Sequence, residues 1–325
     1  MFSVKIGKRN FADSLEEPDL RFEIDQLTWS VIGGPDAGRL TPMGREMAVW
    51  ELAERLRCPV EITYDPMALV VWWGYVHAVA VKSGDVLVSI DLDIKNRIRV
   101  SYEKVTAAGV GDPAQTGWGS NADSVAEYGY FEDQPSRSSK SDAAALAERD
   151  NLLALNALPA PKIEFGFGQN MVDLRGWWHS LDFRYCENAG QSSVATTTQI
   201  SNLVTNYGQF ITGVEIRNAS GISSVEYRDG STKLKDEVEA LLANGTSNNR
   251  RLLAYVDRDR RLIVYEQPAK PNPGEADYML DRSGNLHLKP QTAIPFEIGT
   301  TGVWADFDII PGSIDASKLA EVSPL

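Results

Sequence analysis

The chain has 325 residues, 43% of them hydrophobic, and a formal net charge of −13. That length supports two or three domains with real cores, and the hydrophobic share is that of a folded protein rather than a disordered one. Acidic residues run along the whole chain rather than forming a tail, without the Lys and Arg clusters that neutralise nucleic-acid phosphates, so solubility is the simplest role of the charge. No apolar run approaches the roughly 20 residues of a membrane span. Residues 1–7 have no long apolar stretch with a small-residue cleavage site, and they are expected to form a first strand. Cys58 and Cys186 fit no C-x-x-C pattern and read as buried small hydrophobes of a reducing compartment.

In chain order, residues 4–6, 20–24 and 28–32 read as strands, the last running into the glycine-rich stretch 33–38. That stretch has neither nucleotide-loop spacing, and Pro35 removes an amide donor, so it reads as a structural turn. Residues 45–56 place Val49, Leu52, Ala53 and Leu56 at helical spacing. The period then becomes that of strands: 58–64, a turn at Asp65-Pro66, 69–76, a turn at 83–85, 86–92 and 97–102. Residues 103–136 look irregular, and a helix is predicted over 141–155 with Asp142 near its start. Strands are predicted at 162–167 and 177–185.

Composition shifts near Glu187, where a Ser/Thr-rich linker leads into an α/β pattern. It comprises a helix at 198–207, strands at 211–217 and 223–228, a turn at Asp229-Gly230, a helix at 234–242, and a hairpin of 251–256 with 261–267. This order suits a small two-layer sandwich. Proline-rich residues 268–273 mark its exit; strands at 278–280, 286–288 and 303–307 and a polar tail from 312 follow.

The search for chemistry finds structural readings. His77, His179 and His287 have no zinc spacing, and no G-x-S-x-G elbow is present. Asp91 and Asp93 could bind a cation, although a solvated strand edge is the simpler reading. Asn218-Ala-Ser220 and Asn244-Gly-Thr246 match a glycosylation pattern by chance if the chain is not secreted. No catalytic, cofactor-binding or metal residue is assigned, and the chain is expected not to be an enzyme. Trp72, Trp73, Trp177 and Trp178 are singled out as packing or interface anchors. In the alternative, a carbohydrate-active or carbohydrate-binding protein, the same four would line a sugar groove beside paired carboxylates.

Several stretches together resemble the tail hub (baseplate or tail-tip hub) proteins of tailed bacteriophages. They are Leu27-Thr-Trp-Ser-Val-Ile-Gly-Gly-Pro-Asp-Ala37 with Arg57-Cys-Pro-Val-Glu-Ile62; Val71-Trp-Trp-Gly-Tyr-Val76 through Asn96-Arg-Ile-Arg-Val-Ser-Tyr102; and Ser124-Val-Ala-Glu-Tyr-Gly129 with the Ala-rich helix carrying Arg149-Asp150 and Leu152. Tyr207-Gly-Gln-Phe-Ile211, the 256–265 hairpin and Gly302-Val-Trp304 extend the likeness over nearly the whole chain. Each motif alone is weak, and their order carries the resemblance.

The resemblance implies a mainly β chain with an α+β insert: two tube-like β-barrel domains and a small inserted α/β domain. Residues 1–105 would form the first barrel with one short helix, and 106–190 a loop, a helix and strands of the second barrel region. The insert would be 191–267, and 268–325 the returning strands of the second barrel and an extended tail. The resemblance further implies a structural homotrimer in the virion, made in the host cytoplasm. It would join a hexameric tail tube or distal tail protein to a threefold spike, tip or fibre protein, with a tape measure protein as a further candidate partner. DNA would pass its channel without specific binding, favoured by an acidic wall. No cofactor is implied.

Overall fold

A computed structural model describes residues 2–11, 21–44, 51–105, 109, 111–166, 168–188, 192–225 and 228–267, with the backbone of three short strands beyond them. The chain is mainly β, built around a curled half-barrel sheet. Its first part supplies β1 (Phe2–Ile6), β2 (Arg21–Ser30), β3 (Gly34–Met43), β4 (Pro59–Tyr64), β5 (Leu69–Ser83) and β6 (Val86–Asp91).

β5 is the spine. Its first half pairs with β4, which pairs with β1, and its second half pairs with β6 on the same side. Two later strands, β13 (Lys162–Phe165) and β14 (Met171–Arg175), return to this sheet. β14 fills the gap between β5 and β3, and β13 adds to β6, every pairing being antiparallel. Sequence reading had grouped residues 162–167 with a second β region, because periodicity marks a strand but not its partner.

Between β6 and β13 the chain forms two small sheets. One holds β7 (Arg97–Ile98), β10 (Gly119–Ser120) and β11 (Glu132–Asp133), and the other β8 (Ser101–Val105), β9 (Gly111–Gln115) and β12 (Ser136–Arg137). Ile98, Val100, Tyr102 and Ala145 make their small core, covered by α2 (Asp142–Asn156). The expected single strand at 97–102 is thus split in two, and the supposedly irregular region contains α1 (Ala122–Tyr128). Asn121 caps α1, its side chain accepting from the Ser124 amide at 3.0 Å, and Ser141 caps α2.

The last described part runs β15 (Tyr185–Asn188), β16 (Ser193–Ala195), α3 (Thr196–Tyr207), β17 (Gly213–Ile216), β18 (Ser223–Val225), β19 (Arg228–Lys233), α4 (Leu234–Ala243), β20 (Leu252–Val256) and β21 (Arg261–Glu266). β17 lies parallel to β21 and β20 antiparallel to it. Both helices and the hairpin fall where the sequence pattern put them. Asp229-Gly230 does not turn the chain but sits inside β19, where a register shift against β15 and a positive φ at Gly230 absorb the irregularity.

Residues 177–185 also differ from the expected strand. Trp177–Phe183 is a 3₁₀ helix, with the Ser180 hydroxyl donating to the Trp177 carbonyl at 2.7 Å. Successive indoles alternate faces on a strand, whereas the helical turn lets Trp177 and Trp178 both enter the core. Beyond residue 267, the backbones of β22 (Tyr278–Leu280), β23 (Leu286–Leu288) and β24 (Leu319–Glu321) form a small sheet. The strand expected at 303–307, the Gly302-Val-Trp304 motif, most of the polar tail and residues 45–50 of the first predicted helix lie outside the described residues. Within that helix, Leu52–Arg55 is a 3₁₀ turn.

One core cluster runs from Val4 through the half-barrel into α3, α4 and β21. β5 explains why. Paired residues share a sheet face, so Trp72, opposite Ile62, lies on the concave face with Val4, Val60 and Val76. Trp73 lies on the convex face, where its indole N–H donates to the Val256 carbonyl at 3.0 Å and Trp29 meets it edge-on at 5.2 Å. One indole therefore fills the half-barrel, and the other joins it to the α/β part of the same chain.

Replacing Trp73 with Ala is expected to cost about 3–5 kcal/mol. Trp73→Phe keeps most of the apolar area but leaves the Val256 carbonyl without its donor, an expected cost of about 1–3 kcal/mol. Chemical denaturation checks both. Stability equal to the parent in both variants would refute the joint.

Candidate functional site: an aromatic joint and open sheet edges

The convex face of β5 continues from Trp73 to Tyr75, and the joint grows from there. Tyr75 meets Trp177 at 5.0 Å and Phe183 at 6.1 Å, while Phe183 stacks on Phe131 at 4.1 Å and Phe210 stands edge-on to it at 5.9 Å. Two arginines close the cluster. Arg260 lies 3.6 Å over the Phe11 ring, and Arg57 lies 4.8 Å over Phe210 while donating to the Glu127 carbonyl at 2.8 Å. Burial, with Arg9 nearby, pushes the Arg57 guanidinium down to about 10, so it remains charged at neutral pH. Ring faces and a carbonyl replace part of its lost water.

Glycines let the parts approach. Gly33 has a φ of 109°, and a Cβ there would lie 2.7 Å from the Trp178 ring; its amide donates to the Ala254 carbonyl at 2.7 Å. Gly176 passes so close to Pro35 that a Cβ would overlap its carbonyl oxygen. The glycine-rich stretch is therefore a strand junction whose first amide is already bonded. Gly34 to Gly38 belong to β3, not to a loop.

All four tryptophans singled out from sequence are buried: Trp72, Trp73, Trp177 and Trp178 are 0, 1, 3 and 4% exposed. None lines an open groove. Asp91 accepts from Lys162 at 2.6 Å and from the Asp93 amide, and these bonds lower its pKa despite burial. Among the described residues no group of three or more His, Cys, Asp or Glu side chains gathers to hold a metal. Nor is any helix among them long and apolar enough to cross a membrane.

The histidines stand apart. His77 is half-buried beside the β5–β14 register shift, and His179 pairs with Asp36 at 2.6 Å. Burial lowers both pKa values, for His179 against the opposing pull of Asp36. Glu132, also buried, is held by Arg97 at 2.6 Å and by the Tyr185 amide at 2.8 Å, a structural anchor between the small sheet and β15.

What the described surface presents instead is strand edges. Following the pairings gives one antiparallel path, β13–β6–β5–β14–β3–β2, with both end strands paired on one side only among the described residues. On β13, Ile163 is 62% exposed and Phe165 85%. On β2, Arg21, Glu23 and Asp25 are exposed and alternate with half-buried Phe22 and Ile24. Sequence reading missed these edges because edge status depends on partners that periodicity does not reveal. No family model and no curated protein matches the chain.

Two predictions follow from this chemistry. Cys58 and Cys186 are buried with thiols pushed up by burial, Cys186 to about 12. Thiol reagents at pH 8 should label neither until denaturant is added; rapid labelling of the native chain would contradict the burial. His77 and His179 favour their neutral form when folded, so the unfolded chain takes up protons first as pH falls below about 6.5. Stability should therefore drop between pH 7 and 5.5, and a His77→Asn/His179→Asn variant should show a flatter decline. Equal slopes in parent and variant would refute the assignment.

Proposed function

We propose that the chain is a structural ring subunit of a phage or phage-like injection machine, a tail hub joining a hexameric tail tube to a threefold tip or spike. The observation that carries this reading is a curled, all-antiparallel sheet whose end strands β1, β2 and β13 are each paired on one side only among the described residues, fixed through buried aromatic residues to an α/β part. Such a unit leaves pairing capacity for assembly while its large aromatics serve packing. The order of motifs resembling tail hub proteins gives the same direction. Burial of all four tryptophans removes the groove on which the carbohydrate reading depended.

In this reading the half-barrel is one of two tube-like barrels per chain, and the returning strands after residue 268, including β22 to β24, belong to the second. The α/β part plays the role of the insert, although its core is continuous with the half-barrel. Three chains then present six barrels to a hexameric tube and threefold symmetry to the tip. The convex face toward the β13 and β2 ends, which the α/β part leaves uncovered, would supply the channel wall. On that face Arg39 pairs with Asp173 at 3.0 Å and Lys162 with Asp91 at 2.6 Å, and exposed Glu23, Asp25 and Glu164 stand there with Arg21. A wall without excess positive charge lets DNA pass, because no counterion release holds its phosphates.

Native mass spectrometry of the full chain tests the reading. A trimer near three times the 35.8 kDa chain mass is expected. A monomer or an even-numbered assembly at all concentrations would overturn it.

A further inference from the structure

We infer that the rim of the aromatic joint holds a small inorganic oxyanion, phosphate or sulfate, bridging the Nε of Arg57 and the guanidinium of Arg260 beside Phe11. The site lies within one chain and stands apart from the ring reading. Three features carry it.

The first is an orphaned donor. Arg57 is 6% exposed, and its Nε is buried without a hydrogen-bond partner. Its Nη2 donates to the Glu127 carbonyl at 2.8 Å, and its head group meets ring faces, Phe210 at 4.8 Å and Phe11 at 5.8 Å. Ring faces attract the charge but offer no lone pair to the Nε–H bond. A buried cation with an unmade hydrogen bond is destabilising, and an acceptor lodged there removes the penalty.

The second is unbalanced charge. Arg260 stacks 3.6 Å over the same Phe11 ring, and its Nη1 donates to the Phe210 carbonyl at 3.4 Å. The two guanidiniums thus share one ring as like charges. Neighbouring arginines have their carboxylates: Arg258 has Glu61, Arg184 has Glu132 and Arg9 has Glu127. Among the described residues no carboxylate pairs with Arg57 or Arg260, and burial lowers the pKa of both. Arg9 brings a further positive charge to Arg57, with its own donors already occupied by the Leu56 and Glu54 carbonyls and by Glu127.

The third is the backbone. Phe11, Arg57 and Arg260 have φ values of 57°, 64° and 62°, left-handed conformations that side-chain-bearing residues adopt only under strain. Five such non-glycine residues occur among the described residues, and three of them meet at this ring. The stretch after β1, the residue before β4 and the β20–β21 turn are all bent to bring these side chains together. Strain of this kind persists where the surroundings over-determine it, and it recurs at ligand clamps.

An ion with several oxygens suits the arrangement, since one oxygen accepts from Arg57 Nε while another meets the planar fork of Arg260. Phe11 and Arg260 are half-exposed whereas Arg57 is buried, so the ion must be small enough to pass between them. Once bound, it links the half-barrel at Arg57 to the β20–β21 turn, alongside the Trp73–Val256 and Glu61–Arg258 contacts.

The test is calorimetric titration of the full chain with phosphate, and separately with sulfate, at constant ionic strength, with thermal unfolding over the same series. The inference expects one saturable site per chain, filled within about 20 mM, and a Tm that rises along the same curve. Arg260→Gln should weaken binding roughly tenfold, the loss of a charge-assisted hydrogen bond. Arg57→Lys, which keeps the charge and removes Nε, should weaken it similarly. Arg39→Gln, whose parent arginine pairs with Asp173 on β14, should bind as the parent does. Unfolding in chloride alone confirms that each variant folds. Equal affinity in the parent and Arg260→Gln would overturn the site. So would a Tm that climbs equally and without saturation in every variant, which is how these salts stabilise any fold. A parent chain that shows neither heat nor a Tm shift would overturn it too.

Discussion

The structure depends on β5 being buried on both faces. A strand with one wet face needs one apolar set of residues, but Leu69–Ser83 supplies two. Trp72 and Val76 fill the concave side, and Trp73 and Tyr75 project from the convex side into the α/β part. The register shift between Asp173 and Leu174 then exchanges the faces, so that Val79 and Val81 continue the concave surface toward β6. A single strand thus sets the curl of the sheet, the attachment of the α/β part and the apolar face of the β13 edge.

The joint is stiff for a physical reason. Its rings meet at 4–6 Å in tilted and edge-on arrangements that add to the area they bury. The arginines at its rim are held by ring faces, carbonyls and carboxylates rather than water; Arg258, for instance, grips Glu61 on β4 through two nitrogens, at 2.7 and 3.0 Å. Because Glu61 belongs to the half-barrel and Arg258 to the β20–β21 turn, this pair ties the parts together outside the aromatic contact. In the proposed ring subunit, such a joint would hold the position of the α/β part relative to the half-barrel.

Local structure was legible where period and caps agreed. α2, α4 and the β20–β21 hairpin stood in the sequence because Ser141, the Leu234–Ala243 pattern and Asp257 mark their limits. α1 was missed although Asn121 announces its cap, because only seven residues follow and its apolar face is short. The 3₁₀ helix at Trp177 read as a strand since bulky aromatics favour strands in isolation, and the tertiary demand to bury two adjacent indoles overrode that preference. The four tryptophans are buried in the chain's core, and that placement follows from which segments pack on β5 rather than from their spacing in the sequence. The open edges, on which the assembly reading turns, could not be read at all, since a strand carries no local mark of its missing neighbour.

Assembly is the function we propose from the fold and the motif order, each chain then contributing a curved wall segment. The most direct measurement is electron-microscopic imaging of the purified, assembled chain with averaging of end-on views. The account predicts a closed ring with threefold symmetry and six β lobes around a central channel. A twofold particle, or a ring whose chains touch only through their α/β parts, would contradict it.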